Sequence, residues 1–156
     1  MTTPSTAPTV PDFAPGTELT GPARQVTMDR TGWYSIGMLA ASTGERMPVQ
    51  HNIHTDHEYA RRQGLPAAIA DGMHSTNWLS ALLSCHFGEH YVARGSLRTK
   101  YIRPVVVDTV LIPKAVVQER EDLGPEGIRY TLEVWCEDQN GGRLTVGDAT
   151  VRVAGT

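Results

Sequence analysis

Three histidines, His51, His54 and His57, recur at steps of three. An imidazole titrates near neutrality, so it can carry a proton or ligate a metal. No Cys or carboxylate cluster follows at ligand spacing, and Cys85 and Cys136 fit no zinc motif, so no metal or other cofactor is expected. A second constellation lies downstream in Asp71-Gly72-Met73-His74. A helix opening at Gly72 would offer free backbone N–H groups and the positive end of its dipole to a developing negative charge. Asp71 is a carboxylate able to move a proton, and equally a residue type that caps helices. His74 is expected to line a pocket as a second acid/base group, and Asn77, one turn later on the same side, to hydrogen-bond a substrate. Trp33 and Tyr34 either cover the mouth of such a pocket or pack in the core or a dimer contact.

The elements that must hold these residues follow from periodicity. Gly72 precedes Met73, Leu79, Leu82, Leu83 and Phe87, the strongest helical period in the chain, and predicts a core helix over about 72–86. Thr55 and Glu58 form a capping-box pair that would start a helix over 56–63, stopped at Gly64. Residues 29–42 read as a further helix ending near Thr43-Gly44, and 17–27 as a strand broken at Gly21-Pro22. The C-terminal half alternates over 96–103, 110–120, 128–138 and 143–153, with turn chemistry at Pro104, Asp108, Gly124-Pro125 and Asn140-Gly141-Gly142. A shift in the pattern at Pro113-Lys114 suggests a bulge or an edge there. Helices followed by an antiparallel run of strands make an α+β domain.

The chain of 156 residues suits one domain over 17–156, with residues 1–16, rich in Thr and Pro, as a disordered tail. A net charge of −3 excludes the basic surplus that nucleic-acid binding needs. No apolar run is long enough for a membrane span, and the start lacks the basic and apolar regions of a secretory signal, so the cytoplasm is expected. Both cysteines read as small buried apolar residues.

Three segments are specific in order and spacing: Asn52-Ile53-His54-Thr55-Asp56 with Tyr59-Ala60, Ile69-Ala70-Asp71-Gly72-Met73, and Tyr101-Ile102-Arg103-Pro104-Val105 with Asp108-Thr109. Over roughly 17–153 they resemble the MaoC-like dehydratases, the family that includes the R-specific enoyl-CoA hydratases. The resemblance implies a hot-dog fold, in which an antiparallel sheet wraps a long central helix, and at least a homodimer. It implies a hydro-lyase acting on an enoyl or 3-hydroxyacyl thioester carried by coenzyme A or a carrier protein. His54 takes the place of the family's catalytic His, and Gly72, eighteen positions on, that of its oxyanion-hole Gly. Ser80 matches a Ser that orients the catalytic acid, or is a small polar residue packed on the helix. Arg98, Lys100 and Arg103 face the phosphates of the carrier or are solvated strand charges.

The sequence departs from the family motif Gly-Asp-x-Asn-Pro-x-His. Its Asp falls on Val49, its Asn on His51 and its Pro on Asn52. Valine transfers no proton, whereas His51 keeps a polar group for substrate. Two carboxylates are candidates for the missing acid: Glu45, in Gly44-Glu45, bending back into the site, and Asp71 from across it. Alternatives on the same scaffold are a thioesterase, a tailoring isomerase or cyclase, and a non-catalytic acyl-binding subunit.

Overall fold

The computed structural model describes residues 12–45 and 51–154. In chain order the elements are β1 (Glu18–Thr20), β2 (Arg24–Gln25), α1 (Met28–Thr43), α2 (His57–Arg62), α3 (Met73–Phe87), α4 (Glu89–Arg94), β3 (Gly95–Tyr101), β4 (Val110–Asp122), β5 (Ile128–Asp138) and β6 (Arg143–Val153). The sheet runs β1-β4-β5-β6-β3, with β2 also on β4, and every pairing is antiparallel. Helix α3 packs on β4, β5 and β6. This is the hot-dog arrangement of a sheet curled around one helix.

Alternation explains the sheet's inner face. Ala115 and Val117 from β4, Tyr130, Leu132 and Val134 from β5, and Ala149 and Val151 from β6 are buried at period two. Leu79, Leu82, Leu83 and Phe87 meet them from one stripe of α3. The N-terminal segment joins this core. Phe13 is only 9% exposed and stands edge-on to Phe87 and Tyr130. Asp12 pairs with Arg120 and accepts from the Tyr130 hydroxyl at 3.0 Å. Residues 12–16 are therefore part of the domain rather than of a tail; residues 1–11 lie outside the described residues.

Local chemistry corrects other expectations. The cap of α2 is Asp56, whose Oδ1 accepts from the N–H groups of Glu58 and Tyr59. Thr55 turns instead to Asn52, accepting from its N–H at 3.1 Å, and Glu58 pairs with Arg61. A carboxylate one residue nearer the helix outcompetes the hydroxyl. The register shift in β4 falls between Val117 and Glu119, opposite β5, and not at Pro113. Gly21 N–H donates to the Pro113 carbonyl at 2.9 Å, between the pairings of β1 and β2. A residue's N–H and C=O face the same neighbouring strand, so the N–H that proline lacks would have pointed into this break in the edge. Helix α4 has too short a period to stand out, lying between Gly88 and Gly95. Cys136 is buried as expected; Cys85 is exposed on α3.

Candidate active site

His54 follows a tight turn closed on Asn52, whose Oδ1 accepts the His54 N–H at 2.8 Å. The ring then reaches the loop before α3, where Nδ1 lies 2.8 Å from the Ile69 carbonyl. A carbonyl only accepts, so Nδ1 carries the proton and Nε2 is left as the basic nitrogen. The loop itself is fixed by backbone bonds, Ile69 to Ile53 and Ala70 to Val105.

Gly72 caps α3 in an ordinary helical conformation. Its lack of a side chain is required by close approach: a Cβ would stand 2.7 Å from the Tyr101 ring. Tyr101 hydrogen-bonds through its hydroxyl to Thr76 Oγ1 at 2.8 Å and touches Met73 Sδ. Asp71 precedes Gly72, and its Oδ1 accepts the Met73 N–H at 2.9 Å. One Asp71 oxygen is thus a helix cap.

His54, Gly72, Ala70, Tyr101, Arg103 and Thr145 line one cleft of about 300 Å³. His74 and Asn77 lie on a second cavity of about 540 Å³ between α1 and α3. There the His74 ring packs tilted against Tyr34, centroids 4.2 Å apart, and Asn77 Nδ2 donates to the Tyr34 hydroxyl at 2.9 Å. Burial pushes the His74 pKa below its ordinary value, against the opposing pull of the Asp71 and Arg30 carbonyls and the Asp71 charge.

The remaining candidates are elsewhere. His51 is exposed, its Nδ1 meets Asp56 Oδ2 at 2.8 Å beside α2's cap, and it lines neither cavity. Ser80 accepts from the Tyr91 hydroxyl at 3.1 Å, a contact that ties α3 to α4. Glu45 is exposed beyond the left-handed Gly44 that ends α1 and lines neither cavity. Val49 lies outside the described residues. Trp33 is 75% exposed and, with Tyr34, lines the second cavity. Sequence reasoning missed Tyr101 and Thr145 in the first cleft and Arg24, Arg30 and Trp78 in the second. Tyr101 stood in the third of the ordered segments and Trp78 one helical turn after His74, whereas Thr145, Arg24 and Arg30 carried no signal.

A helix with a glycine cap packed inside a curled antiparallel sheet, with His54 and that glycine on one cleft, defines a hot-dog protein. The MaoC-like domain model matches residues 35–139, and the chain belongs to that family. A search among curated proteins returns no match. Among solved structures, an R-hydratase from Pseudomonas aeruginosa is similar at 20% identity and TM-score 0.64, over 92% of this chain and 84% of that one. A MaoC-like dehydratase from Rhodospirillum rubrum is similar at 18% identity and TM-score 0.66, over 92% and 94%. An (R)-hydratase from A. caviae, involved in PHA biosynthesis, is similar at 17% and 0.65, over 90% and 97%.

Proposed function

We propose that the protein is a hydro-lyase that adds water reversibly to an enoyl thioester, giving a 3-hydroxyacyl thioester. The observation that carries this reading is the pairing of His54 with the head of α3 across one cleft. Nε2 takes a proton from water while the water oxygen bonds to the β-carbon. Negative charge then moves to the thioester oxygen, where the Gly72 N–H and the helix dipole receive it. A proton delivered to the α-carbon completes the addition. The His54 imidazolium delivers that proton, and Asp71, the carboxylate that caps α3 and lies outside the residues lining the cleft, is its assigned partner.

Family membership and the R-hydratase neighbours support the acyl-thioester substrate, carried by coenzyme A or a carrier protein. A homodimer is part of the reading. Among the described residues strand β3 has a partner on one side only, and Tyr101 and Ile102 at its end are 48% and 43% exposed beside the cleft. An edge of this kind is commonly covered by a second copy.

Crotonyl-CoA and a longer trans-2-enoyl-CoA test the reaction. Loss of enoyl absorbance with no free thiol released is the expected result. Thiol release would make it a thioesterase, and silence on both substrates by folded protein would remove the hydratase reading.

A further inference from the structure

The cavity between α1 and α3 has its own chemistry. Trp33 and Tyr34 from α1 and Trp78 from α3 supply flat apolar walls. Arg24 and Arg30 supply positive charge. The Arg24 guanidinium lies 5.6 Å from the centre of the Trp78 ring, and Arg30 Nη1 donates to the Gln25 carbonyl. Neither arginine pairs with a carboxylate among the described residues, and no Asp or Glu is among those lining the cavity. Asp71 is the acid that bears on this region, acting on His74 and Tyr34.

His74 and Asn77 line the same cavity. His74 is only 6% exposed, buried against Tyr34 and Trp78. The volume of about 540 Å³ is in the range of small-molecule sites.

We propose that this cavity binds an aryl-bearing carboxylate, with the ring held among Trp33, Tyr34 and Trp78 and the carboxylate near Arg24 and Arg30. Aromatic walls select the ring by stacking. Unpaired guanidiniums favour a planar carboxylate, which they can hold bidentately. As a subsite for the acyl group the inference rests on the hydro-lyase reading, because Gly72 and His74 share the first turn of α3. As a binding site it rests on the cavity alone.

The test uses free acids, so it does not depend on hydration occurring. Two of the protein's three tryptophans, Trp33 and Trp78, line the cavity, and Trp135 lies elsewhere under Arg143. Tryptophan quenching and calorimetry are read with 3-phenylpropanoate, with 3-phenylpropanol (ring, no charge) and with hexanoate (charge, no ring). The expected result is saturable quenching by 3-phenylpropanoate, at least tenfold tighter than by the other two. Arg24→Gln should weaken 3-phenylpropanoate about tenfold and leave the alcohol unchanged, and Trp135→Phe should preserve the quenching. No saturable binding, equal affinity for the alcohol, or an Arg24→Gln variant that binds normally would overturn the proposal. Anion binding by a protein silent on enoyl thioesters would keep this inference and remove the hydro-lyase reading.

Discussion

Replacing Gly72 by Ala separates chemistry from stability. The backbone at Gly72, φ −58° and ψ −29°, suits any L-residue, and removing a glycine gains about 0.4–1 kcal/mol from the unfolded state. Against this, the new methyl would lie 2.7 Å from the Tyr101 ring, which must move. Tyr101 is 48% exposed, so the ring has somewhere to go, and what it loses is its hydroxyl contact with Thr76. A net hydrogen bond is worth about 0.5–1.5 kcal/mol. The two effects nearly cancel, and urea unfolding of Gly72→Ala should fall within about 1 kcal/mol of wild type. Activity should not follow. The methyl crowds the head of α3 and drives the Tyr101 ring, a wall of the cleft, from its place beside the Gly72 N–H, and losing an oxyanion donor costs about 10²–10³ in rate. Enoyl-CoA hydration by Gly72→Ala, measured beside its unfolding curve, reads both. Activity within threefold of wild type would refute the oxyanion assignment. A stability loss above about 3 kcal/mol would refute the claim that Tyr101 can yield.

Asp71→Asn keeps a side chain that caps as well as Asp, so stability should hold within about 0.5 kcal/mol while hydration falls at least tenfold; equal activity would take Asp71 out of the mechanism. His74 is neutral in the fold at a pH where the unfolded chain is already protonated, because burial lowers its pKa from 6.5. The unfolded state then binds more protons, so stability is present above about pH 6.5 and falls as the pH drops below it. His74→Gln should flatten that part of the stability–pH curve. Phe13→Ala empties a site among Phe87, Tyr130 and His86 and should cost about 3 kcal/mol by denaturant unfolding; no loss would return this segment to a tail.

The fold was legible where periodicity was long. Strands β5 and β6 begin and end where alternation placed them, and α3 lies within one residue of its expected limits. Short elements left no such trace: α4 holds six residues and buries none of them. The cap of α2 was misplaced because Thr55 and Asp56 are both capping types and only geometry chooses between them. In the site, His54 and Gly72 were legible through the ordered motif around them. The aromatic cavity was only half legible, with Trp33, Tyr34, His74 and Asn77 noticed singly. Its walls come from β2, α1 and α3, and no local pattern joins Arg24 to Trp78. Phe13 was lost among prolines because its partner residues are distant in sequence.

The central claim is that His54 Nε2 activates water across the cleft from Gly72. The measurement that tests it most directly is the rate of trans-2-enoyl-CoA hydration by wild type and by His54→Ala, each confirmed folded by its unfolding transition. The account predicts turnover by wild type and a loss of at least 10² in His54→Ala. Turnover by His54→Ala at the wild-type rate would contradict it.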